Sequence, residues 1–505
     1  MLVLQHLHDK SDRETAEALR YDLRWKVACG RSLTQTSFDP STLVYWRRRI
    51  AASAHPDRVF DKVAEVIAET GLLRGRRKRC VDSTILDDAV ATQDTVTMLV
   101  AAIRKVARVV PGGAAAVTAL CGRDYTQPGK PDIDWSDPAA KQALVSDLVN
   151  DALALLKALT GPDTSGYEPA AADALGLLAL VAGQDVEPAD NSDGTDGRWV
   201  IARKVAPDRT ISTVDPQARH TRKSRSTLRD GYRAHVAAEP DTGLITDCEM
   251  TMTTGEDNTD AAVGVTMIHR DRYTTDTTEP STTTEPPATT DTDPPPADPT
   301  DPTADPAETG QHDQHSPDNP DGLEVYGDSA YGSGEARAAY RDNHHDTIIK
   351  PIPLRPAVPG GFTLDDFTID DTTGAMTCPA GHTRTMTPSR TVTFGRTCDT
   401  CPLQARCTTS KTGKSTRIHP HEGLLRNARA QAQTPQFKKA YPTRANIERT
   451  IAQIATQHGR RVKLRHHGTK PNHAWLRTRC AALNLRTLLR HGLTRTAGTW
   501  TTTPA

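Results

Sequence analysis

The sequence predicts an α/β (α+β) protein, with a mixed sheet preceded, interrupted and followed by helices. Three observations carry this. Apolar residues recur at helical spacing through most of 1–60, 87–183 and 423–491. Residues 232–237 and 244–252 alternate around a Pro240-Asp241-Thr242-Gly243 turn, which is a hairpin signal. Two short apolar runs, Cys80-Val81-Asp82-Ser83-Thr84 and Leu323-Glu324-Val325-Tyr326-Gly327-Asp328, read as strands that each end near an aspartate.

The chain of 505 residues is long enough for about three domains. Hydrophobic residues make up 36 % and aromatics 4 %, so part of the chain is expected to lie outside any core. No run approaches the ~18 apolar residues of a membrane span. His6, His8 and Asp9 come too early for a signal peptide, and nine cysteines are too few for a disulfide framework. These features predict a soluble, cytoplasmic protein. The net charge of −1 conceals segregation: residues 411–505 hold 19 Lys and Arg against Glu422 and Glu448, whereas 271–321 hold 13 acids against Arg272 alone. A basic block of that size predicts a polyanionic partner, nucleic acid by default, over a merely solvated surface.

The elements follow in order. Ser11-Asp12-Arg13-Glu14 fits a capping box that starts a helix. Asp39-Pro40 predicts a second start with proline at the first helical position, and Leu43, Trp46 and Ile50 then share a face beside Arg47-Arg48-Arg49. Such helices suit DNA and equally suit any small bundle. A basic stretch, Arg74 to Arg79, leads into the Asp82 strand. Val96, Leu99, Val100 and Ile103, then Leu148, Ala152, Leu155, Leu156 and Leu159, predict long helices. After the hairpin a helix is expected over 259–269. Residues 271–321, with 11 prolines and many threonines, cannot bury enough surface to offset ordering and are expected to be a disordered insert. Gly332-Ser333-Gly334 then turns the Asp328 strand into a helix over 335–341.

Two strand aspartates and Glu448, an acid in an otherwise basic helix, are the residue types that hold a pair of Mg²⁺ ions. Strand-end aspartates also serve simply as caps. Cys378, Cys398, Cys401 and Cys407, with one C-x-x-C pair, suit tetrahedral zinc, His382 being a substitute ligand; the alternative is four buried thiols in a loop-rich insertion.

Taken together, Val81-Asp82-Ser83-Thr84, Tyr326-Gly327-Asp328-Ser329-Ala330-Tyr331-Gly332 and Tyr441-x2-Arg444-x3-Glu448 resemble the motifs of the DDE transposases of bacterial insertion sequences. The Gly231-Tyr232-Arg233-Ala234-His235-Val236 strand and Asp215-Pro216-x-Ala218-Arg219 add to the resemblance. It implies an RNase H-like catalytic core in which Asp82, Asp328 and Glu448 bind Mg²⁺ or Mn²⁺. It also implies contacts to DNA from Tyr441 and Arg444, joined by the nearby Arg449, Arg460 and Arg461. Some relatives place a lysine seven residues after the glutamate, where this chain has Ala455.

The implied organisation is a helical DNA-binding domain over 1–73, which Met1 enters midway, so that a shortened copy is expected. The first core strand follows at 78–86, a helical insertion at 87–207, the core hairpin and helix at 208–270, and the acidic insert at 271–321. The second aspartate lies in 322–350, a cysteine-rich zinc-binding insertion in 351–422, and the basic helices with the glutamate in 423–492. The expected activity is metal-dependent cleavage at element ends and strand transfer, on double-stranded DNA (terminal inverted repeats and target), by a homo-oligomer associated with the nucleoid and not with a membrane. The alternatives are an inactive, shortened copy that only binds DNA, and an endonuclease that cuts without joining.

Overall fold

Helices open the chain in the computed structural model, which describes residues 1–161, 166–204, 206–222, 227–273 and 322–503. The expected acidic insert therefore lies outside the described residues, apart from Asp271, Arg272 and Tyr273. The first helices are α1 (Leu2–His8), α2 (Asp12–Tyr21), α3 (Leu23–Ala28), α4 (Ser41–Ala51) and α5 (Arg58–Thr70). The Ser11–Glu14 capping box forms, each side chain accepting from the other's amide. α4 begins one residue later than expected, at Ser41, but Pro40 already has helical dihedrals (φ −51°, ψ −31°) and the Asp39 carboxylate caps the start by accepting the Ser41 amide at 2.9 Å. Of the basic triplet, Arg47 is folded inward onto Asp12. In α5, Phe60, Val63, Ala64 and Ile67 form one buried stripe.

Strand β1 (Lys78–Asp87) is the centre of the main sheet. It is followed by α6 (Thr95–Val109), α7 (Gly113–Leu120), α8 (Pro138–Leu159) and α9 (Pro169–Gln184), then by the small pair β2 (Val186–Pro188) and β3 (Trp199–Ile201). These helices bury their own core, with Leu99, Ile103, Leu148, Leu155 and Leu178 inaccessible to solvent. Each such side chain is worth about 1.5–3 kcal/mol by burial, so the helical block is supported without help from the sheet.

The chain then returns to the sheet with β4 (Arg219–Arg222), β5 (Leu228–Ala238), β6 (Ile245–Met252), α10 (Asp260–His269), β7 (Glu324–Gly327), α11 (Gly334–Asp342) and β8 (Asp346–Ile349). β5 runs antiparallel to β1, while β7 and β8 follow in parallel on the other side. β4 and β6 share the outer edge of β5. Gly231, where β5 meets the end of β1, has φ +149°, and a Cβ there would stand 2.0 Å from the Leu86 carbonyl oxygen. Only glycine permits that approach.

Further on lie β9 (Thr368–Asp370), β10 (Ala375–Thr377), β11 (Thr383–Thr385), β12 (Thr391–Thr393), α12 (Gln404–Cys407) and β13 (Ser415–Arg417). They enclose a separate small core of Phe367, Met376, Val392, Phe394 and Ile418. The last elements are α13 (Glu422–Gln431), α14 (Pro435–Ala440), α15 (Asn446–Ala455), the short hairpin β14 (Thr456–Gln457) and β15 (Arg460–Arg461), α16 (Thr469–Arg490), and a closing hairpin of β16 (Thr494–Thr496) and β17 (Thr499–Thr501).

The sheet is covered on both faces. Leu86, Val236 and Met250 pack with Ile67 of α5 and Leu476 and Cys480 of α16; Val81, Ala237 and Val325 pack with Met267 of α10 and Tyr340 of α11. Two ionic features tie the layers. The Arg79–Asp271 pair, 2.6 Å apart, is wholly buried. His473 and Arg477 of α16 meet Asp57, Asp247 and Glu249.

Candidate active site

The parallel register of β1 with β7 decides where the two aspartates lie. Lys78, Arg79 and Cys80 pair with Glu324, Val325 and Tyr326. Two residues beyond this pairing, Asp82 and Asp328 are near enough for the Asp328 charge to act on Asp82, although 246 positions separate them in sequence. Asp82 does not end its strand, as the apolar run suggested. β1 continues to Asp87 because β5 pairs with it all the way to Gly231. What ends near Asp82 is the pairing with β7, whose chain turns away as the Asp328 carboxylate accepts the Ala330 amide at 2.9 Å.

Side chains alternate along β1, so Asp82 and Ser83 face opposite sides of the sheet. On the Asp82 side, Cys80, Tyr326 and Ile447 of α15 form a small apolar cluster that seats the helix carrying Glu448. Arg444 then spans the gap. Its Nη2 donates to Asp82 Oδ2 at 2.8 Å and its Nη1 to Glu448 Oε1 at 3.0 Å. Its Nε is buried and has no partner. Glu448 is 63 % exposed and so remains open to a ligand from solvent. Burial pushes the Asp82 carboxyl above the usual carboxylate range, Arg444 pulls it back, and Asp328 and Asp260 push it up again. Burial also works against the charge of Arg444, and Asp82 and Asp328 more than offset it. Tyr441 stacks on Phe437, ring centres 5.3 Å apart.

On the other side, Ser83 Oγ donates to Asp260 Oδ1 at 2.6 Å and Arg233 Nη1 to Asp260 Oδ2 at 2.7 Å. His235, fully buried opposite Ser83, places Nδ1 3.5 Å from Asp260, and burial drives its pKa down to about 3. Burial raises the Asp260 carboxyl. Asp260 is the residue that sequence reasoning missed. Its signals were present: Arg233 and His235 put two polar groups on one face of an apolar strand, and Thr259-Asp260 opens the helix after the hairpin.

The remaining expected residues are scattered more widely. Arg449 and Arg460 are exposed. Arg461 is tied to β1, donating to the Ile85 carbonyl at 2.8 Å and standing 3.4 Å from Asp87. Cys378, Cys398, Cys401 and Cys407 line one small cavity together with His382. The Lys414 amide donates to Cys398 Sγ at 3.5 Å, and burial raises the Cys407 thiol. Among the described residues, no three His, Cys, Asp or Glu side chains are drawn together into a ready metal-holding group. At the acid site Arg444 supplies the positive charge between the carboxylates instead.

Residues 377–489 match the family model described as a Transposase DDE domain, and residues 1–49 match Transposase domain (DUF772). The two matches indicate a DDE-type transposase of an insertion element. The longer match takes in the four cysteines, Tyr441, Arg444 and Glu448, and the shorter one takes in α1 to α3 and most of α4. No curated protein and no solved structure matches it. Transposases of this type act on DNA and generally use divalent metals. No helix among the described residues is long and apolar enough to cross a membrane.

Proposed function

We propose that this transposase cuts DNA at the ends of its own element and joins the freed 3′-hydroxyl to target DNA, with Asp82, Asp328 and Glu448 as the acid triad. One observation carries the reading: strand register and the Arg444 bridge gather three acids that lie far apart in the chain. The order β6-β5-β1-β7-β8, with β5 antiparallel to β1 and β7 and β8 parallel to it, supports an RNase H-like core. The three carboxylates are hard oxygen donors of the kind that hold Mg²⁺ or Mn²⁺. When bound, such ions would stabilise the charge that develops in an in-line phosphoryl transfer.

The residues themselves orient the substrate. Arg444 presents a planar fork that suits phosphate oxygens as well as carboxylates. An incoming phosphate would compete with Asp82 and Glu448 for it and leave both acids free. Tyr441, anchored by Phe437, carries a hydroxyl beside the same acids. Apart from this site, the four cysteines are a soft donor set around one cavity, and we assign them a structural zinc that would fold the segment from β10 to β13. Action on two element ends at once supports a homo-oligomer on DNA.

The test is incubation with DNA carrying the element's flanking repeats, in Mg²⁺ and then in EDTA, beside Glu448→Gln. Mg²⁺-dependent nicks at the repeat boundary, lost in the variant while DNA affinity stays within about 3-fold, are expected. Nicks without joined products would leave an endonuclease; binding without nicks would leave an inactive copy.

A further inference from the structure

A cleft of about 370 Å³ lies between α1, α15 and α16, outside the acid site. Arg449, Arg479 and Arg486 line it with His6 and His458, and no Asp or Glu does. None of the three arginines has an ion-pair partner among the described residues. Arg479, only 4 % exposed, is held by neutral acceptors: the carbonyls of Gln453, Ile454 and Thr456 and the Gln457 side chain. Those carbonyls end α15, so Arg479 has a structural role there. Arg486 has none that satisfies it. It makes one bond to Gln453 at 3.2 Å, and its Nε is buried without a partner. Burial above all, and then Arg479 and Arg47, take His6 down to about 3. Cations without ion-pair partners around a cleft raise its positive potential and favour an anion there.

Resting on the DNA-acting reading above, we propose that this cleft seats a backbone phosphate of the DNA duplex flanking the cleaved bond, with Arg449 and Arg486 as its ligands and Arg479 as the fixed floor. Arg449 follows Glu448 on α15, so the helix that carries the third acid would also grip the neighbouring phosphate. α1 brings the N-terminal domain to the same contact.

The experiment is fluorescence anisotropy with end-containing duplex over a series of salt concentrations. The chains compared are the unaltered protein, Arg449→Gln, Arg486→Gln, Arg486→Lys, and Lys157→Gln as a surface-charge reference on α8. Loss of one phosphate contact lowers the slope of log K against log salt by about 1. Each Gln variant is therefore expected to lose about one unit of slope and roughly 5–20-fold in affinity, while Arg486→Lys keeps most of the slope and Lys157→Gln keeps all of it. Matching thermal melts exclude misfolding. Unchanged slopes in both Gln variants, with the unaltered protein binding DNA, would overturn the cleft assignment alone. Equal losses in Lys157→Gln would overturn it too, by showing an effect of net charge. Loss of inorganic phosphate binding in Arg486→Gln, with its DNA slope intact, would overturn the duplex assignment in favour of a free phosphate. Absence of salt-dependent DNA binding in the unaltered protein would overturn the DNA-acting reading itself.

Discussion

Arg444 bonds two acids on different elements from two separate nitrogens of one rigid, planar fork. Arg444→Lys should therefore be far from conservative. We expect cleavage slowed by about 10²-fold or more, with DNA affinity reduced much less, measured as single-turnover nicking beside anisotropy. Asp260 acts at one remove. Its charge raises the Asp82 carboxyl, so Asp260→Asn should let Asp82 ionise at lower pH. The acidic limb of the pH–rate profile should move downward, and a profile that only falls in height would show a purely structural role. The proposed triad and its arginine could be singled out in the sequence because each sits in a motif with fixed spacing. Asp260 was not, because its meaning comes from Ser83 and Arg233, residues 177 and 27 positions away that only the sheet brings near.

Elements are joined here by charge as well as by apolar packing. Burial pushes His473 of α16 down, and Asp57 and Glu249 more than reverse this, taking it up to about 9. Glu249 is held down at about 2 against burial by His473 and Arg270. The raised histidine stabilises fully below its ordinary value of 6.5, and that contribution is lost as pH rises through about 9. The depressed glutamate stabilises fully above 4.5, and its contribution is lost as pH falls toward 2. Thermal melts should thus weaken on both sides of a plateau between roughly pH 4.5 and 6.5, by about 2–3 kcal/mol on the alkaline side. His473→Gln should remove the alkaline fall. The elements themselves were partly legible. The β5–β6 hairpin, α10 and the helices of the insertion follow from alternation and helical spacing. β4 and β8 were not, since four residues such as Arg219-His220-Thr221-Arg222 show no apolar alternation and become a strand only by pairing with β5.

At the scale of the molecule, separate cores make separate claims. The cysteine segment has a small core with four thiols at one end, so the purified protein should carry about one zinc per chain by elemental analysis. Chelation should loosen this segment to proteolysis before the helical insertion, which buries its own core. Protein purified free of zinc with an equally resistant segment would count against that assignment. The junction at Asp271 has a different consequence. Asp271 is buried against Arg79, while the Gly322 carbonyl accepts from Arg77 Nε at 2.5 Å, so the two described ends flanking 274–321 are fastened to neighbouring residues of one chain stretch. An engineer could treat that place as a socket. Replacing 276–319 with six glycine and serine residues would shorten the span between those held ends from 48 residues to 10, a gain of only about 1.4 kcal/mol in closure. Other cargo of similar span, such as a fluorescent domain with adjacent termini, should be accepted there with the sheet and the acids undisturbed.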